Sequence, residues 1–454
     1  MMAELKKYKL GEICKITSSK RIFEKEYVDG GIPFIRGQEI SDGSIANPSS
    51  EFLCYISPER YEELKKNYGV PKKNDILITA VGTIGNTYLV EDNKKFYFKD
   101  GNIIWFKNIK KEVYPLYLLF FMKSPFFNQQ IEYSLIGAVQ KALTIVMLSK
   151  IEISLPSLAT QRKIATVLSN IDRKISVNRE INRNLEELAK QIYDYWFVQF
   201  DFPNEAGKPY KSSGGKMVWN ELLKREIPVG WEVKPLGEII IKLDSGKRPV
   251  GGIDKALKSG IPSLGAECID DLGVFDFSST SFIDFSYRER MSTGKIGNND
   301  ILIYKDGAYV GKTTLFRDNF PYEEAFVNEH VFLIHAQEEH LEEYLYFSLK
   351  QKTYFQIMQN LGKAKAAQPG LNREDIQSIF LIVPNKEIAT DFHKKVELLL
   401  AKIFNNAKSI GYLTNLRDTL LPLLMNGQVT LNSCLSQHHF HYFVKFNLWE
   451  VYVI

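Results

Sequence analysis

Asn74-Asp75-Ile76-Leu77-Ile78 returns further along the chain as Asn299-Asp300-Ile301-Leu302-Ile303, and this match is one of a series. Leu10-Gly11-Glu12-Ile13 returns as Leu236-Gly237-Glu238-Ile239, Gly31-Ile32-Pro33 as Gly260-Ile261-Pro262, and Pro156 as Pro384, at offsets of 225 to 229 residues. Gly82 and Gly85 answer to Gly307 and Gly311, and Gly137 and Gln140 answer more loosely to Gly362 and Gln368. An ordered series at nearly constant offset is the mark of an internal duplication. Each copy reads as a mixed α/β globule followed by a long helix.

Within each globule the local patterns agree. Asp75–Val81 and Asp300–Tyr304 are short β-branched runs after a polar turn and read as strands. The glycine pairs read as turns into second strands, Thr87–Val90 and Thr313–Phe316. Pro115–Glu132 and Leu341–Gln359 read as aromatic-rich amphipathic helices whose stripes face the core. Ile151–Leu155 and Ile376–Val383 read as closing strands.

After Pro156 about 40 residues follow without Gly or Pro, in helical period. Ile164, Leu168, Ile171, Ile175, Asn178, Asn182, Leu185, Ala189, Ile192 and Trp196 step by alternating fours and threes, the spacing of a coiled-coil seam. The second copy gives Phe392, Val396, Leu399, Ile403, Asn406, Ile410 and Leu413, a break at Arg417, then Leu420 and Leu424. Asn178 and Asn406 are equivalent between copies; such an Asn fixes register at a cost in stability, or is only a polar position on an imperfect stripe. Asn426-Gly427 reads as a left-handed cap ending the second helix.

Residues from Asp201 to Val229 are punctuated by Pro, Gly and Ser and read as a loop-rich connector. Here the sequence resembles a known family. Tyr195-Trp196-Phe197 followed by Phe200-Asp201-Phe202-Pro203, the Ser212-Ser213-Gly214-Gly215-Lys216-Met217 segment, and Ile227-Pro228-Val229-Gly230-Trp231 before the second Leu-Gly-Glu-Ile look like type I restriction specificity subunits. So does the Leu155-to-Ile164 boundary, Leu-Pro-x-Leu-x-x-Gln-x-x-Ile, which is reduced to Val383-Pro384-Asn385-Lys386-Glu387-Ile388 in the second copy. The resemblance spans roughly Lys9 to Val429.

The resemblance implies an α+β protein with two similar mixed α/β target recognition domains, separated by two long helices that form an antiparallel coiled coil. Residues 1–157 would be the first target recognition domain, 158–197 the first long helix and 198–232 the connector. Residues 233–385 would be the second target recognition domain, 386–426 the second helix and 427–454 an atypical tail. Each recognition domain would read one half of a split site in double-stranded DNA, and the helices would set the spacer. Two modification methyltransferase subunits would dock on this scaffold, with two restriction–translocase subunits outside them. S-adenosylmethionine, ATP and Mg²⁺ would belong to those partners, and this chain would hold no cofactor or metal and carry no catalytic residue.

Bulk properties are compatible with this reading without compelling it. The chain has 454 residues, 44% of them hydrophobic, and a net charge of only +4, so charge permits nucleic-acid binding without arguing for it. Cys14, Cys54, Cys268 and Cys434 form no CxxC pair and suit a reducing cytoplasm. The N-terminus lacks the apolar core of a signal peptide, and no apolar run is long enough to span a bilayer. The expected place of work is therefore the cytoplasm, away from membranes.

Several motifs mislead. Gly307-Ala308-Tyr309-Val310-Gly311-Lys312-Thr313-Thr314 resembles a phosphate-binding loop, but it is a residue short between the glycines and runs into a strand rather than a helix. A structural turn is the better reading. There is no Asn/Asp-Pro-Pro-Tyr/Phe segment to hold a flipped base, no GxGxxG after a strand, and no carboxylate–Lys nuclease cluster. His438, His439 and His441 lie in the aromatic tail after Val429 and read as solvated rather than metal-binding.

Bases are read by side chains whose donor–acceptor pairs match groove edges: Arg or Lys for guanine, Asn or Gln for adenine. Candidate loops are therefore polar and basic, with Gly for close approach. In the first copy these supply Lys20, Arg21, Arg36, Gln38, Gln140 and Lys141; in the second, Lys247, Arg248, Lys363, Lys365 and Gln368. A lone basic residue is more often a solvated surface charge. The recurrence of basic loops at matching places, among differing neighbours, favours two similar folds reading different half-sites. A self-contained restriction or methylation enzyme, or an adaptor that binds no DNA, are the alternatives.

Overall fold

The computed structural model describes residues 5–41, 54–91, 95–136, 142–247, 257, 259–291, 293–307, 309–364 and 370–428. The chain divides into two compact units. One holds the described residues up to Arg173 together with those from Thr414 onward; the other is Lys174–Leu413.

In the first unit the N-terminal strand Lys6–Lys9 pairs antiparallel with Glu152–Leu155, so the beginning and end of the globule close on each other. A four-stranded sheet follows the order Lys15–Thr17, Ile103–Lys107, Ile76–Thr79, Thr87–Leu89. A second follows Tyr27–Val28, Cys54–Ile56, Ile32–Ile35, Tyr97–Phe98, with the last pair parallel. The continuous apolar run Ile76-Leu77-Ile78 is buried on both faces, as a central strand covered on both sides must be. Ile35, Leu77, Phe98 and Trp105 pack in one cluster, and Phe34, Ile56, Leu64 and Tyr97 in another.

The second unit repeats this plan. Glu232–Pro235 pairs with Phe380–Val383. Ile240–Ser245, Val331–Ala336, Ile301–Tyr304 and Thr313–Leu315 form the four-stranded sheet, and Ser281–Ile283, Ile261–Leu264 and Phe326–Val327 the smaller one. The motifs that betray the duplication hold equivalent places. Asn74 and Asn299 turn the chain at φ 71° and 65° before the central strands. The Asp that follows is buried in both copies and accepts from the preceding turn, Asp75 from Lys72 N and Asp300 from Gly297 N. Gly31 and Gly260 sit at φ 146° and 147°, where a Cβ would strike the Ile56 or Ile283 carbonyl oxygen at 2.5 or 2.4 Å.

The first long helix is Leu158–Tyr193, continued by a wider π-helical turn over Asp194–Val198. The second is Lys386–Met425, with Pro422 inside it, and ends at Gly427 with φ 67°. In the second unit Asn182 meets Asn406 while Trp196, farther along, meets Phe392, so the helices there run antiparallel. In the first unit Asp172 pairs with Arg417 at 3.1 Å, which fills the break in the apolar stripe with an ion pair. Ile164, Leu168, Ile171, Ile175, Asn178, Phe392, Val396, Ile403, Asn406 and Leu420 are buried, and Leu185, Ile192, Leu399 and Leu413 partly so.

Three local expectations need correction. The aromatic helices are each split in two. Pro115–Met122 gives way to Pro125–Leu135 because Ser124 caps the second helix, accepting from Phe127 N, with Pro125 in its first turn. Glu342–Lys350 gives way to Lys352–Lys363 at an extended Gln351. Ile376 and Gln377 belong to a helix, Arg373–Gln377, held by a capping box between Asn372 and Asp375; the closing strand starts only at Phe380.

The connector is also more ordered than its composition suggests. Met217–Asn220 and Arg225–Pro228 form a hairpin. Phe197, Phe200, Phe202 and Trp231 are buried, with Phe202 stacked on Trp231 at 5.0 Å and Phe197 edge-on to Phe392 at 4.9 Å. The tail after Val429 and its histidines lie outside the described residues.

Candidate nucleic-acid interface

In the first unit, loops from both sheets gather at one end. Ser19 Oγ donates to the Phe98 carbonyl at 2.6 Å, and Lys99 N donates to the Ile35 carbonyl at 2.9 Å. Ala80 N reaches the Asn102 carbonyl, and Leu143 N reaches Ala80. Lys20, Arg21, Arg36 and Gln38 are therefore neighbours at this end. Their states differ. Lys20 and Gln38 are exposed, with the Lys20 Nζ 5.4 Å from the Tyr68 ring centre. Arg21 is exposed but bonded to Asp100 at 3.1 Å.

Arg36 is tied down. Its backbone N–H donates to Glu39 Oε2 at 2.7 Å and its guanidinium to Glu39 Oε1 at 2.7 Å, with Glu39 only 3% exposed. The hydrogen bond to Glu39 holds the Arg36 guanidinium above its usual range. A cation clasped by a buried carboxylate presents little net charge to a phosphate, so Arg36 holds its own turn together. Gln140 and Lys141 lie outside the described residues.

The second unit gathers the equivalent loops. Asn328 N donates to the Leu264 carbonyl, Lys305 N to His330, and Leu371 N to Lys305 at 2.7 Å. Lys247 and Lys363 are both exposed at this end. The glycine beside Lys247 serves the fold rather than a ligand: a Cβ on Gly246 would lie 1.6 Å from the Val327 carbonyl oxygen. Arg248, Lys365 and Gln368 lie outside the described residues.

Two further exposed residues stand at these ends without having been singled out from the sequence. Lys99 follows the buried Tyr97-Phe98 pair, and Tyr309 is 67% exposed on the turn after Ile301–Tyr304. A basic or aromatic residue just past a buried strand, in a glycine-marked turn, was the available signal. That turn leads straight into the strand Thr313–Leu315, and Lys312 is paired with Asp270 at 3.2 Å. A phosphate-binding loop would instead open a helix.

Among the described residues, no group of three or more His, Cys, Asp or Glu side chains is placed to hold a metal ion, and no helix is long and apolar enough to cross a membrane. Burial pushes the Cys14 thiol up to about 12 and Cys268 to about 11, so neither offers a thiolate near neutral pH.

A duplicated α/β head with polar loops at one end, each copy followed by a long helix, defines a tandem two-domain architecture. The family model "Type I restriction modification DNA specificity domain" matches twice, at residues 2–187 and 228–405, and the chain belongs to this family of type I restriction–modification specificity subunits. It is 28% identical over 449 residues to the type I restriction enzyme MjaIX specificity subunit of Methanocaldococcus jannaschii, covering 94% of this chain and 93% of that one. It is 25% identical to the HindI specificity subunit of Haemophilus influenzae, covering 94% of this chain and all of that protein. The crystal structure of the type I restriction–modification system S subunit from M. genitalium shares the fold, with a TM-score of 0.56 at 17% identity over 93% of this chain and 96% of that one.

Proposed function

We propose that this chain is the non-catalytic DNA-reading subunit of a type I restriction–modification complex, and that its two heads read the two halves of one split site in duplex DNA. The observation that carries this reading is the duplication itself. Both heads gather the same set of loops at the same end of the same sheets; Lys20 and Lys247 answer each other, while the other exposed residues differ, Gln38 in one and Tyr309 and Lys363 in the other. Like frames with unlike reading residues suit two different half-sites. The antiparallel helices set the distance between the heads. Two methyltransferase subunits dock on the scaffold and two restriction–translocase subunits join them, and S-adenosylmethionine, ATP and Mg²⁺ bind in those partners. The complex works in the cytoplasm, on DNA.

The test is methylation of random-sequence duplex DNA by the full chain with its methyltransferase partner. Methylated fragments sharing a two-part motif with a spacer of fixed length support the reading. Methyl transfer or cleavage by the purified chain alone would make it a self-contained enzyme. Assembly with no sequence preference would make it an adaptor.

A further inference from the structure

In the second unit, the segment between the strands Ile261–Leu264 and Ser281–Ile283 leaves its sheet and follows the paired helices. It touches them directly at two successive places, Gly273 and Phe277, and is bridged to the first helix by Lys350 at a third. Asp271 bonds Lys350 Nζ at 3.0 Å, and the same ammonium is bonded to Glu186 of the first long helix. Two residues on, Gly273 turns at φ 69° against both helices at once. A Cβ there would lie 3.0 Å from Ala407 Cβ, 3.1 Å from Ile403 Cγ2 and 3.2 Å from Asn182 Nδ2. Phe277 then lies on Gly411, where a Cβ would meet its ring edge at 3.2 Å. Leu272, between the first two contacts, is 1% exposed.

The strap is also part of this head's cores: Phe275 packs against the cluster of Leu302, Val327, Val331 and Leu333, and Leu272 lies in the cluster that runs from Ile301 and Ile334 of the sheet to Ile403 and Ala407 of the second long helix. What the strap adds to that packing is a seat. One contact would let the head pivot on the helices; two direct contacts, each admitting a Cβ only if its neighbours give way, and a third bridged by Lys350 remove that freedom. The middle contact falls on the buried Asn182–Asn406 pair, so the head is keyed to the same point that registers the helices.

We infer that the strap Asp270–Phe277 sets the angle at which the second head presents its loops, and that Gly273 and Gly411 are positioning residues for the spacing between half-sites. This rests on the two-part reading proposed above. Half-site spacing is a geometric property of how two readers are mounted, and a base-pair step is only ~3.4 Å. A small tilt at the seat moves the loops off their step.

The test uses the full chain assembled with its methyltransferase partner. Duplexes carry the cognate half-sites with the native spacer, or with a spacer shortened or lengthened by a single base pair. Gly273→Ala and Gly411→Leu should lower the preference for the native spacer by about tenfold, the scale of one lost base contact, and leave half-site base preference unchanged. Phe277→Ala, which alters a half-exposed ring, should act in the same direction more weakly. Assembled variants that discriminate spacers as the wild type does overturn the inference. Hydrogen exchange of the free chain reads the seat without DNA. Gly411→Leu should speed exchange across 270–277, and unchanged exchange there sinks the inference independently. A wild-type complex that protects no two-part site fails the functional reading instead, and leaves the exchange result to judge the seat.

Discussion

Asn406 on the second long helix donates its Nδ2 hydrogen to Asn182 Oδ1 on the first at 2.9 Å, and Asn182 passes its own Nδ2 hydrogen to the Ile403 carbonyl at 3.0 Å. Both side chains are buried, at 6% and 5% exposure, among Ile403, Ala407 and Leu185. In an apolar seam, a slide along either helix would set each amide against hydrocarbon, so the pair penalises wrong registers more than it stabilises the right one.

Asn182→Leu should therefore destabilise the second unit by about 1–3 kcal/mol, since it strands the Asn406 amide. The double change Asn182→Leu with Asn406→Leu should recover most of that loss, because apolar groups then face each other. Urea denaturation of the two variants checks this. A double variant as weak as the sum of its singles would show that the amides stabilise directly rather than by exclusion.

Arg36 and Lys20 should separate cleanly. Lys20→Ala should lower the salt dependence of DNA binding, by about 0.9 in the log–log slope if it neutralises one phosphate. Arg36→Ala should leave the slope unchanged and instead lower the thermal stability of the first unit, as should Glu39→Gln. A slope that drops with Arg36→Ala would mean the Glu39 clasp opens on DNA.

The duplication was readable because the matching residues do the same backbone work twice. Asn74 and Asn299 occupy the left-handed region and Gly31 and Gly260 leave no room for a side chain, so neither copy had latitude to drift. Helix existence was readable from period, but helix division was not. Pro115–Met122 and Glu342–Lys350 are buried around their whole circumference rather than along one stripe, so no apolar period marks where Ser124 and Gln351 end them. The partner of Asn406 was out of reach for a similar reason. Repeat alignment finds the residue equivalent to it, Asn178, while cross-helix packing selects Asn182, one turn away. Candidate base readers were least legible. Whether a basic residue is exposed, like Lys363, or clasped, like Arg36, depends on a carboxylate that only the folded turn brings near.

The connector between the copies looked like a spacer by composition and behaves as core. Trp231 stacks on Phe202 and meets Phe197 and Phe200 edge-on or tilted. Trp231→Ala should cost the second unit about 3–5 kcal/mol, read as a loss in urea midpoint. A loss under ~1 kcal/mol would mean that the aromatic cluster repacks around the cavity.

A pH signature should come from His393, at the foot of the second long helix. Its Nδ1 is 3.0 Å from Glu343 Oε2, and Glu343 is almost fully buried and also bonded by Arg317 Nη1 at 2.7 Å. Glu397 faces the same imidazole from its own helix, and the His340 ring lies 4.2 Å away. The contact with Glu343 raises His393 above the usual imidazole range, outweighing its partial burial. Burial pushes Glu343 up, but His393 and Arg317 overcome this and hold it below the usual carboxylate range. The signs follow from linkage. His393 contributes its full stabilisation below the ordinary histidine value of ~6.5 and loses it as pH climbs through the raised value. Glu343 contributes above its ordinary value and loses its share only as pH falls through the lowered one. Between these limits both are charged and the cluster is tightest. The wild type should therefore gain urea stability over His393→Gln below the ordinary histidine value of ~6.5, with the gap closing as pH rises through the raised one. Glu343→Gln should remove that pH dependence. A gap between wild type and His393→Gln that stays constant across this range would show that the imidazole packs there without titrating.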